Sequence, residues 1–258
     1  MLSVLAWLPF VKCKHRFQAT GIGTCGIALI LLIQATHGNF AHVTDRLNDW
    51  APGLWILLVY WQSGRFYTRS NRRLQEMLQA CDGNINAFLK AWAHRWTQTW
   101  LGSFLELAYL LCYPLLPMGV AVLYAAHAGA KVDQYWMLIL VSTYVCYLVL
   151  PFAQTLPPRK RDPELIPDAN VSRVRRMNLW VLRHASIQVN TFPSAHVASA
   201  VAASLALARM VPPVGAVFLF VSGCIAFAAV VGRYHYLLDV LAGAAIPLLL
   251  FVLWCAHG

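Results

Sequence analysis

VGAVFLFVSGCIAFAAVVGRYHYLLDVLAGAAIPLLLFVLWC, residues 214–255, holds two apolar runs separated by one short polar break. Each run, 214–231 and 237–255, approaches the ~20 residues with which a helix crosses a bilayer core. The break, GRYHYLLD (232–239), carries an arginine, a histidine and an aspartate. Ionisable groups at the edge of hydrocarbon are expensive and need a reason. The stretch therefore predicts two membrane helices joined at a chemically equipped turn.

The rest of the chain agrees. Of 258 residues, 59% are hydrophobic and only 12% charged, and the mean hydropathy is +0.57. A soluble domain carries roughly a quarter charged residues. Further apolar runs occupy 19–35, 50–62, 101–125, 135–152 and 193–210. The run at 50–62 is short, which suggests a tilted or re-entrant segment. Between it and 101 lies a polar, basic stretch, 63–99. There Leu74, Met77, Leu78, Cys81 and Ile85 fall at helical spacing, as in an amphipathic helix at the membrane interface. A linker helix outside the membrane has the same pattern. The expected fold is thus an all-α integral membrane bundle of six or seven transmembrane helices with an additional interfacial amphipathic helix. One domain is the simplest organisation, with N-terminal spans over 1–100 and a helical core over 101–258.

Net charge is +10, from 20 Lys and Arg against 10 Asp and Glu. The basic residues lie in loops, where they suit anionic lipid or an anionic substrate. That placement disfavours nucleic acid. Seven cysteines, mostly within apolar runs and without a CxxC pair, indicate neither a disulfide framework nor structural zinc. The N-terminal apolar run precedes its basic residues, the reverse of a signal peptide, so no cleavage is expected.

Span order brings three polar segments to one membrane face. PPRK (157–160) follows the run ending at 152, and TFPSAH (191–196) opens the next run. Two further crossings return GRYHYLLD to the same side. His235 and Asp239 are four apart, hence neighbours on a helix face. A carboxylate on one ring nitrogen sets the tautomer and frees the other nitrogen as nucleophile. His196 is the second player, an acid for a leaving oxygen and a base for water. Pro193 suits a first helical position, and the helix N-terminus it opens suits an anion. Ser194, Arg159, Lys160 and Arg233 are candidate phosphate ligands. Thr191 and Asn190 are expected at the rim. The set describes phosphoryl transfer without a required metal or other cofactor.

Pro193-Ser194-Ala195-His196 and His235-Tyr-Leu-Leu-Asp239, followed by Val-Leu-Ala-Gly243, resemble the motifs of the type 2 phosphatidic acid phosphatase superfamily, over about residues 135–252. The resemblance implies a membrane lipid phosphatase or phosphotransferase with a phosphohistidine intermediate. His235 would be the nucleophile, Asp239 its orienter and His196 the acid/base, while Ser194 helps hold phosphate. Two positions depart from the common pattern. Pro157-Pro158-Arg159-Lys160 replaces a Lys, six residues, then Arg-Pro. Ala229 stands where an arginine six before the nucleophile is usual, and Arg233 is only two before. Both departures resemble the branch of inositol phosphorylceramide and sphingomyelin synthases, which transfer a phospho-headgroup between lipids.

These readings define the expected partners: a lipid phosphate such as phosphatidic acid or an isoprenyl diphosphate, the bilayer, and in the transfer reading an alcohol or lipid acceptor. A non-enzymatic transporter or scaffold, and a metal hydrolase using His196, His235 and Asp239, are the competing classes. Glu106, in the apolar run LGSFLELAYLLCYP, is a secondary candidate, as is His184 in the long connection 153–191. Trp96, Trp100, Tyr135 and Trp136 fit an interfacial aromatic belt. The resemblance places the site outward, at a bacterial inner membrane. Arg65, Arg69, Arg72, Arg73, Lys90 and Arg95 on the same face argue for the cytoplasm by the positive-inside rule.

Overall fold

Small residues decide which helix lies at the centre. The computed structural model describes residues 1–9, 11–36, 40–83, 99–161 and 172–257. Its helices are α1 (Leu2–Leu5), α2 (Arg16–Ala35), α3 (Ala41–Trp50), α4 (Pro52–Gly64), α5 (Arg72–Cys81), α6 (Trp100–Leu110) and α7 (Leu115–Ala125). There follow α8 (Val132–Val149), α9 (Pro158–Arg161), α10 (Arg173–Ala185), α11 (Ala195–Met210), α12 (Pro212–Val231) and α13 (Leu237–His257). Among the described residues the only β pairing is an isolated antiparallel bridge, Thr155 with Asn190.

The alanine-rich α11 is packed by α7, α8, α12 and α13. Its Ala198, Ala200, Ala202, Ala203 and Ala206 are fully buried. Without bulky side chains, helix backbones can approach closely and gain dispersion contacts, the packing used where water provides no hydrophobic drive. Hydroxyls join α11 to α12: Ser204 and Ser222 lie 2.7 Å apart, and both donate to the Ala200 carbonyl. At the tight connection between these helices, a Cβ on Gly215 would lie 2.2 Å from the Ala208 backbone.

Among the described residues four segments are long and apolar enough to cross a membrane: Arg16–Ala35, Gly129–Val149, Pro212–Val231 and Leu237–His257. The pair α6 and α7 makes a fifth if it is one span, but it bends by 73°. The sequence predicts six or seven spans, so the length criterion supports fewer. At 13 and 16 residues, α4 and α11 fall below a ~20-residue crossing.

Several local expectations are corrected. The run 101–125 is broken at residues 111–114, where Pro114 lacks the amide proton a continuing helix needs. Pro193 is not helical: Ser194 is the N-cap and α11 starts at Ala195. Tyr135 and Trp136 are buried, not part of a belt. Tyr135 donates to the Leu116 carbonyl at 2.8 Å, and Trp136 to the Asp49 carbonyl at 2.7 Å. Within 63–99, α5 turns Gln75, Leu78 and the following Asp82 inward, whereas Met77 and Cys81 are exposed. Ile85, Lys90, Arg95 and Trp96 lie outside the described residues.

Candidate functional site

The turn after α12 aims His235. Arg233 adopts a left-handed backbone, φ 63°, uncommon for a side chain other than glycine, asparagine or aspartate. It ends the helix, and the amides of Tyr234 and His235 both donate to the Ala229 carbonyl at 2.9 Å. Ala229, where an arginine is usual in the family pattern, therefore contributes its backbone here. α13 then begins with Asp239 in its first turn. The Asp239 Oδ2 atom accepts from the Tyr236 amide at 2.9 Å, closing the helix start as a capping carboxylate does. The same oxygen lies 3.5 Å from His235 Nδ1. Both side chains are buried.

The third partner comes from the segment before α11. Asn190 Nδ2 donates to Asp239 Oδ2 at 2.7 Å and lies 2.9 Å from Thr155 Oγ1. The Asn190 amide donates to the Thr155 carbonyl at 3.0 Å. Asn190 and Thr191, expected at the rim, are instead buried at 1% and 2% exposure. The segments around 155, 190 and 239 are thus stitched together by backbone and side chain.

Ser194 caps α11, its hydroxyl 3.5 Å from the Val197 amide. Its own amide donates to the Asp239 carbonyl at 2.9 Å. A Cβ on Gly243 would lie 2.5 Å from the Ser194 carbonyl oxygen. Only glycine lets α13 approach this closely, so Gly243 sets the distance between the start of α11, which bears His196, and α13, which follows the turn bearing His235. The rings of His196 and His235 lie with centroids 5.8 Å apart, tilted by 55°. Tyr60, Tyr109 and Tyr113 surround His196 at 6.3, 5.9 and 5.6 Å.

The basic candidates separate. The half-buried Arg159 donates its amide to the Arg233 carbonyl at 3.1 Å. Its guanidinium lies 3.5 Å from the Tyr234 carbonyl and 5.7 Å above the Tyr234 ring. Lys160 Nζ instead donates to the Gln188 carbonyl at 3.2 Å. Partial burial and the neighbouring Arg159 charge hold its ammonium below the usual lysine range. Arg233 is 3% exposed, and its charge acts on Asp82. His184 is exposed, and its ring lies 4.7 Å from that of Trp180 on the same helix.

Two buried groups support the site from outside. Asp82 Oδ1 accepts from the Leu237 amide at 3.0 Å, at the start of α13. Burial, with the Asp239 charge added, pushes the Asp82 carboxyl up to about 6. Glu106 is held by Arg175 at 2.5 Å, Asn178 at 2.5 Å and the Tyr234 hydroxyl at 2.5 Å. Arg175 also donates to the Gly232 carbonyl at 3.2 Å. Tyr234 stacks on Tyr109 at 4.0 Å, so this network braces the turn that carries His235. The apolar run around Glu106 signalled a buried carboxylate. Arg175 and Asn178 lie on α10, within the connection expected to be a loop, and nothing in the sequence marked them individually.

Among the described residues no three His, Cys, Asp or Glu side chains are arranged to hold a metal ion. Comparison with curated proteins and with solved structures returned no match. A family model described as the PAP2 superfamily matches residues 76–253, which include His196, His235, Asp239 and Gly243. That match spans more than half of the chain, and the chain belongs to the PAP2 superfamily.

Proposed function

We propose that this chain is a membrane lipid phosphatase acting through phospho-His235. The observation that carries the reading is the pair of histidine rings, half-buried His196 and buried His235, 5.8 Å apart, with Asp239 beside His235 Nδ1. At 3.5 Å that contact is looser than a hydrogen bond, as catalytic contacts often are before substrate binds. With Nδ1 directed at Asp239, Nε2 carries the free lone pair. It forms the N–P bond as the P–O bond to the lipid breaks. His196 gives its proton to the leaving oxygen. It then takes a proton from water, whose oxygen attacks phosphorus and breaks the N–P bond, releasing phosphate. Arg159 and the amides at the α11 N-terminus would balance the phosphoryl charge.

An alcohol acceptor replacing water gives transfer by the same steps, and the Ala229 and Arg159-Lys160 departures favour that second reading. Substrates in either case are lipid phosphates or isoprenyl diphosphates at the bilayer surface. Six or seven passages, with α4 and α11 as short ones and α5 at the interface, suit this arrangement. The site then faces outward, for which a membrane-impermeant thiol reagent on Cys81 in intact cells is the check.

The test is phosphate release from phosphatidic acid in detergent, with wild type and His235→Ala, with and without chelator and an alcohol acceptor. Release by wild type alone, insensitive to chelator, supports the phosphatase. A new phosphate ester with acceptor supports transfer. Equal release by the variant sinks the assignment of His235.

A further inference from the structure

A cavity of about 320 Å³ opens beside His196. Ligand pockets span ~300–1,000 Å³. One wall is α4, through Leu54, Leu57 and Tyr60. These recur every third residue, on one side of a helix. The facing wall is the break between α6 and α7, through Cys112, Tyr113 and Leu116. The two helices bend by 73° at this break.

The lining is mostly apolar, with Trp50, Tyr113 and Tyr147 adding a polar tip each to aromatic bodies. His196 stands at one end, and the hydroxyls of Ser199 and Tyr60 near it are engaged. Ser199 donates to the His196 carbonyl at 3.1 Å, and the Tyr60 hydroxyl accepts from the Ile187 amide at 3.0 Å. From Tyr60 the wall follows α4 to Gly53, seven residues or about 10 Å at the helix rise. Apart from His196, no lining residue is ionisable at neutral pH in the ordinary sense of a charged side chain. That length covers most of one leaflet's half of the ~30 Å hydrocarbon core.

The α4 wall is anchored at both ends. Near the site, Trp61 donates to the Ala185 carbonyl at 2.9 Å, beside the Tyr60 contact. At the far end, Asp49, just before α4, accepts from the Tyr124 hydroxyl and, through its carbonyl, from Trp136. α4 also precedes residue 76, where the family match begins.

We infer that this cavity holds the hydrocarbon chain of the phosphate ester, and that α4 sets which chains are accepted. The inference rests on the phosphoryl-transfer reading of the histidine pair. A chain seated along α4 has its phosphate end at His196, so chain binding and reaction geometry are coupled.

The experiment compares a long-chain phosphatidic acid, a long-chain isoprenyl phosphate and a short-chain, water-soluble phosphate ester on wild type, Leu54→Trp and Leu57→Trp. Both leucines are partly open in the structure, at 41% and 38% exposure, so added bulk has room without unfolding the bundle. The expected result is a fall of about tenfold in the long-to-short ratio of kcat/KM. The ester that loses most identifies the chain type. An unchanged ratio in both folded variants overturns the inference and leaves the histidine assignment standing. If wild type turns over none of the esters, with or without an alcohol acceptor, the phosphoryl-transfer reading itself fails. A long-chain phosphate with a photoreactive group in its chain then decides the cavity. Crosslinks to residues 50–60 and 112–117 support chain binding there, and crosslinks only elsewhere overturn it.

Discussion

Asn190 donates to the Asp239 carboxylate at 2.7 Å although 49 residues separate them in the chain. That bond and the Tyr236 amide hold the oxygen that faces His235 Nδ1. Asn190→Leu removes one of the two donors and leaves a buried carboxylate under-satisfied. The expected loss is about 1–3 kcal/mol of stability. It should also lower kcat by about 10–100-fold, by analogy with the loss of a partner that orients a metal-bound histidine. Thermal unfolding in detergent and phosphate release at saturating substrate measure the two effects. A kcat equal to wild type would show that Asp239 orients His235 unaided.

Much of this site was legible in the sequence, and the reason is geometric. Helical spacing pointed to the His235–Asp239 contact, but His235 stands in the turn before α13, and it is Asp239 accepting from the Tyr236 amide at the helix start that brings the two together. His196 joins them because span order fixes the face. Asn190 was visible only as a polar residue near PSAH, since its partner depends on the bridge to Thr155. Tyr60, Tyr109 and Tyr113 looked like ordinary aromatic residues of apolar runs. Their convergence on His196 depends on the break at 111–114 and the position of α4, both tertiary facts. Pro193 misled because proline marks both a first helical position and the residue before a cap.

Gly243 gives the second prediction. A Cβ there would sit 2.5 Å from the Ser194 carbonyl oxygen, which is backbone and cannot swing aside. Gly243→Ala should push α13 from the start of α11, separating His235 from His196. Overpacking of this kind costs about 1–3 kcal/mol. The fall in kcat should exceed what the lost folded fraction explains, because a misplacement of about 1 Å can cost on the order of a hundredfold in rate. Activity normalised to folded protein by size-exclusion chromatography is the measurement. A variant that keeps full specific activity would mean the helices re-pack without disturbing the pair.

The Glu106–Arg175 pair is buried on both sides, at 9% and 5% side-chain exposure. Removing one member strands the other, at a cost of about 3–5 kcal/mol. Glu106→Leu and Arg175→Met should each lower the melting temperature sharply. The double variant should lose less than the sum, because neither charge is then left alone. Strict additivity would show that the two residues stabilise the turn independently.

Asp82 predicts a pH dependence whose sign can be worked out. Its carboxyl is raised from 3.8 to about 6 in the fold, with burial the main cause. The folded state therefore holds this proton more tightly than the unfolded chain. The resulting stabilisation is fully present below about pH 4 and is lost as pH rises through about 6. Melting temperatures of wild type in detergent should carry a downward component across this interval. Asp82→Asn keeps an oxygen for the Leu237 amide but cannot titrate, so that component should vanish. Parallel curves for the two proteins would assign the pH dependence to other groups.

Arg159 and Lys160 are adjacent in sequence but differ in what they can do. Arg159 lies over Tyr234, next to His235, and its charge acts on His196. Lys160 is turned to the Gln188 carbonyl and sits in partial burial that opposes its charge. Arg159→Ala should lower kcat/KM by about 10²–10³-fold, the size of losing one donor to developing charge. Lys160→Ala should stay within about threefold, since an exposed charged contact contributes little. Arg159→Lys should recover only part of the loss, because an ammonium cannot present two parallel donors to a phosphate. Steady-state kinetics on one lipid phosphate distinguishes all three. A larger effect at Lys160 than at Arg159 would move the phosphate to the other side of the turn and would reverse this assignment of the two basic residues.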